Sequence, residues 1–147
     1  MSTVADILTQ VKAVAATAAP TWHELPYVHN VAANNFRTAK LAYGVRPMES
    51  SPTSGVNRVY TMDHRFEMIL TDSIARAADD SQIETTLGVL YGIADTIFKA
   101  MVNTAINLPS VVLMVSQPSL SEPELYEKEK FVALRMQFVV KYRSTLT

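Results

Sequence analysis

His23, Glu24 and His29 form the densest group of side chains able to hold a metal or move a proton. The metalloprotease arrangement needs two histidines four apart on a helix, with the glutamate between them as base. Here the histidines are six apart and Pro26 separates them, so a polar loop is the default reading and a metal site the lesser one. His64 follows Asp63, but adjacent residues on a strand point to opposite faces, so the two cannot act directly as base and orienter. The alternation around His64 puts it on the core side, where a buried histidine is expected to find a hydrogen bond. No thiol chemistry is open to a chain without cysteine, nor is a disulfide framework or a thiolate zinc site. A G-x-S-x-G nucleophile elbow is absent. Ser50, Ser51 and Ser54 sit in a proline-rich stretch where serine is an ordinary turn residue. Four glycines in all leave no phosphate-cradling loop. The residues therefore predict no catalytic site, no metal and no cofactor.

The chain has 147 residues, of which 48% are hydrophobic and 18% charged. About 25% charged is usual, and so apolar a chain folds as a globular unit, here a single domain over residues 1–147. The low charge also hints that some apolar surface meets a partner. Thirteen basic and 14 acidic residues give a net charge of −1. A free-standing nucleic-acid binder carries a basic excess to displace counterions, so general DNA or RNA binding is not expected. The opening MSTVADILTQVK lacks the basic and apolar regions of a secretory signal. The uncharged stretch 100–121 contains Asn103, Asn107, Pro109, Gln117 and Pro118, all costly in lipid, so no membrane span is read there.

Elements follow from periodicity. Residues 3–19 read as a helix with Val4, Ile7, Leu8, Val11, Val14, Ala15 and Ala18 at helical spacing, a Thr3–Asp6 cap and Pro20 as terminator. The segment 20–35 is irregular, with Trp22, Tyr27 and Val28 pinning it to the core. A strand over 36–46 places Ala39, Leu41, Tyr43 and Val45 on one face. The stretch 47–57, with two prolines, three serines and a glycine, reads as a mobile turn. Strict alternation over 58–72 puts Tyr60, Met62, His64, Phe66, Met68 and Leu70 on a buried face and Thr61, Asp63, Arg65 and Glu67 on a wet one.

The main helix is expected at 81–106, with Ser81 and Glu84 as a capping box and Asp79 and Asp80 favoured near the positive helix end. Its core stripe is Ile83, Leu87, Leu90, Tyr91, Ala94, Ile97, Phe98 and Met101. The opposite side carries Thr85, Gly88, Gly92, Asp95 and Lys99. Gly88 and Gly92 make a flat patch, suited to close packing within the fold or to a subunit contact. A short strand at 110–116 and a polar loop at 117–129 precede the last strand, 130–143. The glutamates at 122, 124, 127 and 129 mix with Lys128 and Lys130, as in a solvated loop, an inter-subunit contact or a lumen wall. The result is an α+β fold in the order α-β-β-α-β-β. Two helices cover one face of a mainly antiparallel sheet, and the two hairpins have long loops.

The wet face offers Asp63, Arg65 and Glu67 from one strand and Arg135, Lys141 and Arg143 from another. Between subunits such charges fix register and orientation more than affinity. Tyr126, with Leu120 and Leu125, is a candidate anchor on a partner.

In size, in the leading helix Thr3–Ala19, the long hairpin through Phe66, the helix Ser81–Ile106 and the closing hairpin through Phe138, the chain resembles the tail-terminator (tail-completion) proteins of long-tailed bacteriophages. That group is similar to minor tail protein U of lambda-like phages. The resemblance covers nearly the whole chain at the level of plan. It implies a virion structural protein rather than an enzyme, assembled in the host cytoplasm. Its partners would be copies of itself in a hexameric ring, the tail tube protein and the head–tail connector protein, with DNA passing through the lumen unbound. On this reading Arg65, Glu67, Arg135, Lys141 and Arg143, with the Gly88, Gly92, Asp95 and Lys99 helix face, form ring contacts. The segments 47–57 and 117–129, with Leu120, Leu125 and Tyr126, reach tube or neck. The alternatives are a head-completion or connector protein of the neck, and a small α+β enzyme or ligand-binding domain.

Overall fold

The computed structural model describes residues 4–25, 40–56, 59–103, 111–127 and 130–145. The first helix, α1 (Val4–Ala18), buries Ile7, Val11, Val14 and Ala15 along one stripe, as the spacing predicts. Ala19 N–H still reaches the Ala15 carbonyl at 2.9 Å before Pro20 stops the run. The expected Thr3 cap lies outside the described residues. Trp22 is buried against the core, while Tyr27 and Val28 also lie outside. A two-residue strand unseen in the sequence, β1 (His23–Glu24), then pairs in parallel with Ala42 and Tyr43.

Strands β2 (Ala42–Val56) and β3 (Val59–Ser73) form a hairpin 15 residues long on each side. Here the sequence expectation needs correction at both ends. The first strand begins at Ala42, not 36; Lys40 and Leu41 form a turn, with Leu41 at φ 46°, and Ala39 is not among the described residues. The segment 47–57 is not a mobile turn. Apart from Asn57, which is not described, it is strand, paired with β3 out to Val56 opposite Val59. Its register shifts between Pro47 and Ser50 and again between Pro52 and Ser54. Among the described residues β1 covers only the first two residues of β2, and prolines are tolerated at such an edge.

The second helix, α2 (Asp80–Asn103), matches the expected one, whose last residues, 104–106, are not described. Its cap is shifted two residues toward the N-terminus. Asp79 Oδ1 accepts from Gln82 N–H, and Gln82 Oε1 accepts from Asp79 N–H, each at 2.9 Å. That reciprocal pair, rather than Ser81 with Glu84, is the capping box. Strands β4 (Val111–Leu120), β5 (Glu124–Tyr126) and β6 (Phe131–Thr145) complete the chain. The predicted polar loop 117–129 is therefore partly strand: β4 runs on to Leu120, and β5 pairs with the start of β6.

The sheet order is β1-β2-β3-β6-β4, with β5 also on β6. All pairings but β1–β2 are antiparallel. The fold is α+β, in the order α-β-β-β-α-β-β-β. Both helices pack on one face. Ile7, Val11, Leu90, Ala94, Ile97 and Met101 meet Tyr43, Val45, Phe66, Met68, Leu70, Leu134, Met136 and Phe138 in one cluster. The rings of Phe66 and Phe138 stack with centroids 5.8 Å apart. Tyr91 departs from the expected core stripe and is 42% exposed.

The second sheet face is not uniformly wet. Ile69, Phe131 and Ala133 form a small buried cluster there, with Tyr126 packed on it, and Glu67 is only 3% exposed. At the other end exposure is concentrated on the outer strand β2. From Pro47 outward the described side chains of β2 are exposed, and fully buried core positions on β3's helix side begin near His64 and Phe66. Residues 59–65 of β3 are half-buried apart from exposed Val59 and buried His64, and they pair with β6 as well as β2 up to the hairpin turn.

Candidate assembly surfaces

Three surfaces collect the residues singled out in the sequence. The first lies on the second sheet face. Register places Arg46, Glu67 and Gln137 directly opposite one another on β2, β3 and β6. Arg46 Nη2 and Arg135 Nη1 donate to Glu67 Oε1 at 3.1 and 3.3 Å, and Gln137 Nε2 donates to Oε2 at 2.8 Å. Arg135 Nε also donates to Glu124 Oε1 at 2.8 Å, and the Tyr126 hydroxyl donates to Glu124 Oε2. Two arginines thus balance two carboxylates across four strands. Burial, with Glu124 beside it, pushes the Tyr126 phenol above its usual range despite the opposing pull of Arg135, so the hydroxyl stays a donor. Tyr126 stacks on Phe131 with centroids 4.4 Å apart, which commits much of this expected anchor to its own fold. Glu67, Arg135 and Tyr126 are brought together; Arg46, Glu124 and Gln137 complete the group and were missed, because only the strand register makes them neighbours.

Farther along the same face Lys141 Nζ lies 3.7 Å from Asp63 Oδ1, and Arg65 Nε lies 3.9 Å from Glu49 Oε1. Glu49, Ser51, Asp63, Arg65 and Val139 line a polar depression of about 120 Å³. Arg143 is exposed near the end of β6, opposite Thr61. These charges lie toward the hairpin end of the sheet, apart from the Glu67 group.

The second surface is the outer half of β2 with the hairpin end. Met48 and Val59 are each 40% exposed on it. At Gly55 a side chain would collide with the ring of Tyr60, whose Cδ1 lies 2.5 Å from where a Cβ would sit. The aromatic ring thus covers the glycine across the hairpin and stiffens its end.

The third surface is the outer side of α2. Gly88 and Gly92 are exposed and a Cβ added at either would meet nothing within 4 Å. Close packing within the fold therefore does not account for them. Asp95 and Lys99 pair along the helix at 2.7 Å. Between α2 and β4 runs a groove of about 330 Å³ lined by Tyr91, Ala94, Asp95, Phe98, Ser119, Leu120 and Met136. Leu120 is 50% exposed beside it. Leu125, 43% exposed, lies elsewhere, at a separate cavity near the start of α2 with Arg76, Asp80 and Lys130. By length and composition α2 could cross a membrane, yet only 22% of that apolar window is buried inside the protein.

The two described histidines are not brought together. His23 is exposed and His29 is not among the described residues. His64 is buried at 6% exposure with its ring 5.0 Å from that of Phe66. Neither ring nitrogen has a hydrogen-bond partner among the described residues, against the sequence expectation, and burial holds its pKa below the ordinary histidine value. The strand neighbours on its face, Met62, Phe66, Val140 and Tyr142, are apolar or aromatic, and the Ser50 and Tyr142 hydroxyls share a hydrogen bond at 3.5 Å. No group of three or more metal-ligating side chains forms among the described residues.

No family model matches the chain, and no curated protein does. Among solved structures it is similar in fold to a chain in the virion of a native gene transfer agent (GTA) particle, with a TM-score of 0.51 at 13% sequence identity. The likeness covers 94% of this chain and 92% of that one.

Proposed function

We propose that the chain is a structural protein of a phage-like virion, and within it a tail terminator. Copies would close into a ring that caps the tail tube, ends its polymerisation and joins the tail to the head. The observation carrying this reading is the end-to-end likeness in fold to a chain of a gene transfer agent virion. Shared architecture over both whole chains suits a protein whose role is geometric. The surfaces described above suit that role too: an exposed strand edge, a groove and a charged sheet face. A hexamer is the expected ring. A net charge of −1 suits a lumen through which DNA slides without being held.

Native mass spectrometry and light scattering of the pure protein, alone and mixed with tube protein, test the assembly. A closed multimer in either condition supports the reading; a strict monomer in both sinks it. The same fold likeness serves a head-completion or connector protein, and images of particles carrying a labelled chain separate the two by position between tail and head.

A further inference from the structure

We infer that the outer half of β2, residues 47–56, is an acid-released strap. It lies closed beside His64 at neutral pH and lifts from β3 when the imidazole takes up a proton. The inference stands apart from the ring reading and does not depend on it.

His64 is an unsatisfied group on the helix-side face. It is 6% exposed, and neither ring nitrogen has a hydrogen-bond partner among the described residues. Its neighbours across the strands are Ser50 on β2 and Val140 on β6, with Met62 and Phe66 two residues away on β3. The Ser50 and Tyr142 hydroxyls meet each other at 3.5 Å and leave the imidazole unbonded. A neutral ring can persist in such a site. An imidazolium there would bury a full charge and two N–H donors without a partner. Burial accordingly holds the ring's pKa below the ordinary histidine value.

Among the described residues no carboxylate is placed to receive that charge. Glu49 and Asp63 belong to the opposite sheet face, where they meet Arg65 and Lys141. The α1 and α2 residues that enter the core cluster are apolar. Of the helices' charged groups, Asp6, Asp80, Glu84, Asp95 and Lys99 are exposed, and half-buried Lys12 pairs with Glu24. Tyr142 is the titratable neighbour on His64's own face, and its hydroxyl is shared with Ser50.

The sheet sets the route by which water reaches the ring. On one side stand Val140 and Tyr142, both buried, and β4 pairs with β6 beyond them. On the other side stands β2, whose described side chains are exposed from Pro47 outward. Ser50, Ser51 and Pro52, opposite His64, Asp63 and Met62, are a short run of regular pairing between two register shifts. Among the described residues the far edge of β2 has a partner only at Ala42 and Tyr43. Irregular pairing held from one side opens at lower free energy than a central strand. Lifting this segment is therefore the easiest way to hydrate the charge. Once lifted, it leaves β3 around His64 with an unpaired edge, a surface for strand addition that the neutral chain does not present.

Hydrogen exchange at pH 7 and pH 5, corrected for the intrinsic exchange rates, tests this on the full chain. The amides of residues 48–56 that are protected at pH 7 should lose protection several-fold at pH 5. The ceiling is about 25-fold, set by an ordinary histidine pKa near 6.5. Amides of residues 42–46, in the inner half of the same strand, should keep theirs. His64→Phe and His64→Leu, checked for folding by circular dichroism at pH 7, should each hold the outer half closed at pH 5. NMR of ring-labelled histidine in the wild type needs no variant, and the His64 ring should take up its proton over the pH range in which the outer half opens. Unchanged protection at pH 5, equal loss in both halves, or the same loss in a folded His64 variant overturns the strap. A ring that is protonated while β2 stays closed overturns it as well.

Discussion

Water hardly reaches the carboxylate of Glu67, yet its partners Arg46 and Arg135 keep 30% and 23% of their side chains exposed. The arginines act as a lid, their stems covering apolar surface while their heads hold the charge. Removing the carboxylate leaves Arg46 facing Arg135, which still holds Glu124. Glu67→Ala is expected to cost about 2–3 kcal/mol, less than a fully buried pair because the arginines can rehydrate. Urea denaturation measures it, and Arg46→Met in the same background should recover part of the loss, since Arg135 keeps Glu124. His64 behaves differently. The unfolded chain takes up a proton there near pH 6.5, while burial in the folded chain holds the ring neutral to lower pH. Stability is thus full above about pH 6.5, falls as the pH drops through that value, and levels off only below the folded pKa. The slope in that window is at most about 1.4 kcal/mol per pH unit. His64→Phe should remove this part of the acid sensitivity in melts taken between pH 5 and 7. In the sequence, alternation alone sorted these two residues correctly onto opposite faces. What it could not show is that the second face has its own buried patch, because that depends on Arg46 and Arg135 arriving from other strands.

The elements teach a similar lesson about local and non-local information. Phe66, Met68 and Leu70 alternate with polar residues, and β3 was legible because its own pattern carries the signal. β2 beyond Pro47 was not. Its Pro, Ser and Gly residues read locally as a turn, and only its place at the sheet edge, with β3 on one side, makes it a strand. Hydrogen exchange distinguishes ribbon from loop. Amides of β3 between Thr61 and Arg65, bonded on both sides by β2 and β6, should exchange orders of magnitude more slowly than those of a mobile turn. Exchange within seconds across that stretch would contradict the fold. Helix α2 offers a second element-scale test. Since a Cβ at Gly88 or Gly92 meets nothing, Gly88→Ala and Gly92→Ala should each stabilise the isolated chain by about 0.5–1 kcal/mol through helix propensity. Thermal melts of the single chain read this directly. If the neighbouring copy packs over these positions, the same variants assemble less well although their fold is firmer.

At the scale of the whole molecule, charge is balanced in total and sorted in space. The net charge of −1 predicts weak binding to duplex DNA, with a dissociation constant no tighter than the non-specific range of about 10⁻⁴–10⁻⁶ M at physiological salt. Fluorescence anisotropy on a short duplex checks this; tight, salt-steep binding would rule out a passive lumen. The core, shared by both helices and the central strands β3 and β6, supports one continuous sheet. Surfaces on its two ends and on the back of α2 are thereby held in fixed relation to one another. The α+β class and the two-helix cover were readable from periodicity, whereas the two short strands β1 and β5 were not, since two or three residues carry no period.

The register shifts near Pro47 and Pro52 carry one more consequence. A bulge bends its strand and deepens its twist, so these two irregularities aim the ribbon relative to the body of the chain. If copies meet through this edge of the sheet and close a circle, that aim is the turning angle per step. The size of the circle would then be written in a few backbone torsions of a single edge strand, rather than in the chemistry of the residues that touch.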